Sequence, residues 1–167
     1  MKNNFSKYQG LGNDFIIFDA RGNKLDNLFT ENKDNIIEYL CNRNFGIGAD
    51  GIILILESKN RCFVRMKIFN SDGSEPEMCG NGIRCLIAFL NDNNEIKEKS
   101  DIRIETKAGL ILTSIDCNEN IKVNMGEPIL SPLDIPTKLL MNNLTVPNGT
   151  IRINDQILNV YAASMGN

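Results

Sequence analysis

The stretch from Asn70 to Cys85, Asn-Ser-Asp-Gly-Ser-Glu-Pro-Glu-Met-Cys-Gly-Asn-Gly-Ile-Arg-Cys, constrains this chain more than any other. A strand pattern ends at Phe69, and Ser71, Asp72, Gly73 and Ser74 read as a turn. From Ile83 to Leu90 the run is apolar except for Arg84 and Cys85. A helix apolar nearly all round is a buried helix. Its start is unusual, because Gly80 and Gly82 each cost about 1 kcal/mol against Ala inside a helix. Glycine suits that place if a ligand must come close to the backbone. A helix start also offers unpaired N–H groups and a positive dipole end, which suit an anion. Cys79 sits there, where a thiol loses its proton more easily. The expectation is a reactive thiol beside an anion cradle, mounted on a helix held in the core. The competing reading makes Cys79 a small buried hydrophobe, as most cysteines near apolar segments are.

At 167 residues the chain holds one domain or two small ones. A net charge of −3 argues against a general nucleic-acid binder, which would present a basic face. No apolar run approaches the roughly 20 residues of a membrane span. Met1 to Phe5 lacks a signal peptide's apolar stretch, so a cytoplasmic location is expected. Five cysteines, an odd number without regular spacing, fit reduced thiols better than a disulfide framework. With no Cys-x-x-Cys pair and no His, no zinc site is expected. The missing His also leaves acid–base work to Cys, Asp, Glu, Lys or Tyr.

In chain order, Phe5 to Gln9 and Phe15 to Asp19 read as strands. The tight loop Gly10-Leu11-Gly12-Asn13-Asp14 lies between them, either a plain hairpin turn or one whose side chains reach a ligand. Thr30 can cap a helix running to about Asn42, with Ile36, Ile37, Leu40 and Cys41 as its apolar stripe. Phe45 to Gly51 resembles a phosphate loop only superficially. It has no Gly-Lys-Ser/Thr, and a strand (Ile52 to Leu56) follows it instead of a helix. Cys62 to Phe69 alternates, with Cys62, Val64, Met66 and Ile68 on one face, and Cys62 reads as structural. Asn91 to Asp101 is a solvated connection. Ile102 to Thr106 and Leu110 to Ile115 are strands around a hairpin signal at Lys107-Ala108-Gly109, and Ile121 to Met125 is another strand. From Gly126 the texture changes, since Pro128, Pro132, Pro136 and Pro147 cluster there, which marks a boundary or an irregular crossover. Ile151 to Ile153 and Leu158 to Ala162 read as a final strand pair. Asn143-Leu-Thr145 and Asn148-Gly-Thr150 match the glycosylation pattern, a chance match in a cytoplasmic chain.

Six of these stretches together resemble diaminopimelate epimerase, in that family's order and across the whole chain. They are Gly10-Leu-Gly-Asn-Asp-Phe15, Gly46-Ile-Gly-Ala-Asp50, Phe69-Asn-Ser-Asp-Gly-Ser74, Met78-Cys-Gly-Asn-Gly-Ile-Arg-Cys85, Asn124-Met-Gly-Glu-Pro128 and Ser164-Met-Gly-Asn167. The resemblance implies an α/β (α+β) fold of two similar domains, each a curved mixed β-sheet wrapped around a central buried helix. It implies an isomerase of lysine and peptidoglycan-precursor synthesis that needs no cofactor. Such an enzyme interconverts LL- and meso-diaminopimelate between two opposed cysteines, and its full-length form is a homodimer. Inverting a stereocentre needs proton removal on one face and delivery on the other, so two opposed groups are required. Carried over by position, Cys79 is the first catalytic cysteine. Gly80 and Asn81 extend its half-site, and Asn13, Asn70 and Asn167 contact substrate.

The departures are equally specific. The family chain is about twice as long, and its second catalytic cysteine, in an Ala-Cys-Gly-type motif, is absent here. So is a His that follows the position of Asn167. Cys85, six residues after Cys79, cannot oppose it on a helix. Some members carry at position 51 a Gln that reaches the substrate, where this chain has Gly51. Residues 1–125 are therefore expected to form the first domain, and 126–167 the opening strands of an incomplete second one. Open sheet edges there invite self-association or local disorder beyond about Met125. The chain alone is expected to be inactive. Two alternatives stay open. One is a proline racemase or phenazine-pathway isomerase on the same fold, although those relatives usually carry His where this chain has Asn81. The other is a non-catalytic binding or assembly module.

Overall fold

The computed structural model describes residues 4–22, 25, 27, 29, 33–140 and 145–165. In chain order its elements are β1 (Ser6–Gly10), β2 (Asn13–Asp19), α1 (Lys33–Cys41), β3 (Gly51–Leu56), β4 (Val64–Asn70), α2 (Gly80–Asp92), β5 (Ile102–Thr106), β6 (Gly109–Ile115), β7 (Ile121–Val123), β8 (Asn148–Ile153) and β9 (Gln156–Tyr161). The chain divides into two compact units, Met1–Asn124 and Met125–Asn167.

In the first unit, β1 to β7 form one mixed sheet in chain order. β2 pairs with β3, and β4 with β5, in parallel, while the remaining neighbours are antiparallel. Parallel neighbours need a crossover, and α1 and α2 occupy those two crossovers. Because side chains alternate across a strand, β2 and β3 feed two separate cores. Ile16, Phe18, Ile52 and Leu54 pack with Phe29, Ile37 and Cys41 on one face. Phe15, Ile17, Ile53 and Ile55 pack with Ile83, Leu86, Ile87 and Leu90 of α2 on the other. Coverage on both faces explains why β3 reads Gly-Ile-Ile-Leu-Ile-Leu with no alternation.

α2 touches β1 and β7, the two ends of the sheet, as well as β2, β3 and β4. At about 4.8 Å per strand, a flat seven-stranded sheet would separate its outer strands by roughly 29 Å, against about 10–12 Å for a helix with its side chains. The sheet therefore curls around α2, as expected. Tyr8 of β1 fixes the far end of the helix. Its ring meets Phe89 edge-on at 5.9 Å, and its hydroxyl donates to Asp92 Oδ2 at 2.7 Å. Burial, and then the Asp92 carboxylate, push the Tyr8 phenol up to about 12.

Several local expectations need correction. Asn13 and Asp14 belong to β2, and the loop is only Leu11-Gly12, whose φ values of 57° and 83° make a two-residue hairpin turn of the primed type. β4 starts at Val64 rather than Cys62, because the chain turns at Arg61, where φ is 56°. Cys62 is consequently only half-buried, in that turn, rather than part of the core. Thr30 lies outside the described residues, and the helix that follows it begins at Lys33.

In the second unit, β8 and β9 form a two-stranded antiparallel ribbon. Isolated bridges join Ile129 to Ser164 and Leu140 to Asn148. Ile151, Ile153, Ile157, Leu158 and Tyr161 are all exposed on the ribbon.

Candidate active site

Cys79 is the N-cap of α2, with an extended backbone (φ −144°, ψ 115°). The Gly82 N–H donates to its sulfur at 3.5 Å, and the Ile83 N–H donates to its carbonyl at 2.9 Å. Among the described residues, the amides of Gly80 and Asn81 have no acceptor, so two donors remain at the helix start. Gly82 is held there by packing, because a Cβ on it would lie 2.9 Å from Ile68 Cδ1. Cys79 is half-buried.

Asn13 faces this group from the first residue of β2. Its Oδ1 lies 4.0 Å from Cys79 Sγ and accepts from Asn81 Nδ2 at 3.4 Å. Asn81 Oδ1 in turn accepts from Arg84 Nη2. On the other side, Asn13 Nδ2 donates to Asp50 Oδ2 at 2.9 Å. The hairpin brings Asn13 to the helix start because Leu11 and Gly12 reverse the chain within two residues. The parallel register that sets Phe15 opposite Gly51 then brings Asp50 beside Asp14.

A charged cluster supports this arrangement from behind. Arg43 Nη2 donates to Asp14 Oδ1 at 2.7 Å and to Asp50 Oδ1 at 2.8 Å, while Lys7 Nζ lies 3.1 Å from Asp14 Oδ2. The Arg43 hydrogen bonds hold the Asp14 carboxyl far below the usual carboxylate range, with help from Lys7 and the Asp50 amide and against partial burial. Asp50 is lowered too, chiefly by the hydrogen bond from Asn13 and then by the Asp14 amide.

Of the residues the sequence singled out, Cys79, Gly80, Asn81 and Asn13 come together at the start of α2. Asn70 ends β4, and its Nδ2 donates to Ser74 Oγ at 2.9 Å inside its own turn. Asn167 lies outside the described residues. Gly51 is buried, and a Cβ on it would sit 2.3 Å from the Phe69 carbonyl oxygen, so the backbone of β4 occupies the space of any side chain there. Cys85, within α2, is buried, and burial pushes its thiol up to about 11. Among the described residues, no group of three or more Cys, Asp or Glu is placed to hold a metal ion, and no helix is long and apolar enough to cross a membrane.

The sequence reading missed the supporting roles of Arg84, Asp50, Asp14 and Arg43. Arg84 carried a signal, as a lone cation in an apolar helix three residues after Asn81, on the same face. The others carried none, because their contact depends on strand register.

The model of the diaminopimelate epimerase family matches residues 5–131. A diaminopimelate epimerase of Prochlorococcus marinus (strain NATL1A) is 88% identical over 167 residues, which cover all of this chain and 59% of that protein. A chloroplastic diaminopimelate epimerase of Oryza sativa subsp. japonica is 44% identical over 98% of this chain and 45% of its own length. The chain therefore spans under two thirds of the length of these curated relatives. Among solved structures, a hydroxyproline epimerase from Agrobacterium vitis superposes with a TM-score of 0.57 at 14% identity, covering 95% of this chain and 48% of that one. That likeness is one of fold alone.

Proposed function

We propose that this chain, which belongs to the diaminopimelate epimerase family, carries one half of a two-base epimerase site. In this reading Cys79 serves one face of the α-carbon of diaminopimelate, and an opposed thiol outside these residues serves the other. The observation that carries it is the placement of Cys79. The thiol caps α2 beside two amides without acceptors, and two carboxamides flank it.

The chemistry follows from that placement. The substrate α-carboxylate docks on the Gly80 and Asn81 N–H groups, where the helix dipole favours negative charge. Cys79 as thiolate takes the α-proton, forming S–H while the C–H bond breaks. The electron pair moves into the carboxylate, whose charge those N–H groups already face. A proton delivered to the opposite face completes the inversion between the LL and meso forms, and the reverse direction exchanges the roles of the two thiols. The proton transfers balance between the two thiols and the substrate, and the scheme invokes no cofactor. Asn13 and Asn81 hold the substrate's polar groups, and the substrate contacts of Asn70 and Asn167 rest on the family resemblance. Residues 126–167 are the opening strands of a second, similar domain, a reading supported by apolar residues exposed along β8 and β9. The full-length protein works in lysine and peptidoglycan-precursor synthesis as a cytoplasmic homodimer, a part of the proposal that rests on the family resemblance.

The test is direct. Diaminopimelate should protect Cys79 of this chain from alkylation, while α-proton exchange with solvent deuterium stays far below the rate of an intact enzyme. No protection at millimolar substrate would remove the half-site, and enzyme-like exchange would show that one half suffices.

A further inference from the structure

The two carboxamides beside Cys79 each have two possible orientations, related by exchange of Oδ1 and Nδ2. Their outer partners remove that choice. Asp50 presents a carboxylate, which only accepts, so Asn13 must turn Nδ2 toward it. Arg84 presents a guanidinium, which only donates, so Asn81 must turn Oδ1 toward it. The inner halves are then complementary, with Asn81 Nδ2 donating to Asn13 Oδ1 at 3.4 Å. The result is a hydrogen-bond chain with a fixed direction, Arg84 to Asn81 to Asn13 to Asp50, with the Cys79 sulfur beside its middle.

We propose that Asp50 and Arg84 are positioning residues that fix the polarity of this chain, so that Asn13 presents its oxygen, and not its nitrogen, to Cys79. The inference rests on the reading of Cys79 and the two asparagines as the half-site, and it adds the residues that orient them. An acceptor facing the sulfur engages the S–H form, whereas a turned amide would donate to the sulfur and stabilise negative charge on it. Bonds within such a chain polarise one another. Arg43 bonds Asp50 directly, and Asp14, itself paired with Arg43 and Lys7, lies against it. The Asn13 side chain and then the Asp14 amide lower the Asp50 carboxyl, with Arg43 adding to them and the Asp14 charge opposing, so Asp50 is ionised, hence acceptor-only, at neutral pH.

Asp50→Asn keeps the shape but can donate as well as accept, so Asn13 gains freedom to turn. The 167-residue chain with this substitution should alkylate at Cys79 roughly threefold faster, the low end of couplings within one hydrogen-bond network. Arg84→Gln lets Asn81 turn and so releases Asn13 in the same way, so it should also quicken the reaction; a slower reaction would mark a through-space charge effect and overturn the proposal. General loosening of the fold could quicken both variants. The decisive step therefore repeats Asp50→Asn in an Asn13→Ala background, where the chain is cut, and there the acceleration should fall to less than half its size. An equal acceleration in both backgrounds, or none in either, overturns the proposal. If Asp50→Asn fails to fold, the Arg84→Gln and Asn13→Ala cycle decides the same question. Because the readout is alkylation, the coupling can stand even where diaminopimelate fails to protect Cys79.

Discussion

Strands β3 and β9 are each six residues long and rich in branched apolar side chains, yet every residue of β3 is buried and none of β9 is. The difference lies in what surrounds them. β3 has hydrogen-bonded neighbours on both edges and a packed core on both faces. β9 pairs only with β8, and a lone two-stranded ribbon is marginal in water. Apolar content sets what a strand can bury, and the layers around it decide whether it does.

The sharpest way to break that contrast is paired truncation. Ile53→Ala in β3 should cost about 3 to 4 kcal/mol, because the site is packed on all sides. Ile157→Ala in β9 should stay within about 0.5 kcal/mol, as at exposed sites generally. Urea unfolding of the 167-residue chain measures both. Hydrogen exchange should agree, with β3 amides opening only near the global unfolding free energy and β9 amides exchanging early. Equal costs at the two positions would mean that β9 is covered in solution, for instance by self-association.

A smaller effect lies in the charged cluster behind the site. Asp14 is mostly buried, with 15% of its side chain exposed, and its folded carboxyl titrates far below its ordinary range because of Arg43 and Lys7. A depressed folded value means that its contribution is present above the unfolded carboxylate range, near pH 4, and is lost as pH falls below it. Asp14→Ala should therefore cost about 2 kcal/mol at pH 7, the scale of hydrogen bonds to charged groups, and much less at pH 2. Chemical denaturation at the two pH values separates these. A cost that does not change with pH would mean that the residue acts through packing and not through its charge.

The same contrast explains what could be read from the chain in advance. α2 is legible because its burial is written into contiguous residues, Ile83 to Leu90, and its unusual start into the glycines before them. β2 and β3 follow from short apolar runs bounded by turn residues, and the β5–β6 hairpin from alternation and turn chemistry. The start of β4 is not legible, since the left-handed turn at Arg61 interrupts an alternation that Cys62 continues by spacing alone. Nor is the cluster of Lys7, Asp14, Arg43 and Asp50. Asp50 and Asp14 meet only because β2 and β3 pair in parallel at one register, although they lie 36 positions apart in the chain. The need for glycine at position 51 is hidden for the same reason, because it depends on the path of the β4 backbone.

The smallest effect tests the site itself, through the order in which the five thiols react. Burial pushes Cys41 and Cys85 up to about 11, so neither competes at neutral pH. Cys117 is exposed and Cys62 half-exposed, and neither starts a helix. Access alone would therefore rank Cys117 first. Cys79 is less exposed, but the Gly82 N–H points at its sulfur and the whole of α2 presents its positive end there. A helix terminus is worth about 0.3–1 kcal/mol to a charge, or roughly two- to fivefold in rate over an ordinary exposed thiol. Against it stands the Asn13 oxygen, 4.0 Å away, which engages the S–H form. The dipole and the N–H group act at the shorter range, so Cys79 should alkylate first, by about that factor, in a stoichiometric reaction mapped by mass spectrometry. Both influences belong to the first unit, so truncating the chain after Asn124 should leave the ranking unchanged. If Cys117 reacts first, the start of α2 does not activate the thiol it carries, and the half-site loses its physical basis while the fold around it stands.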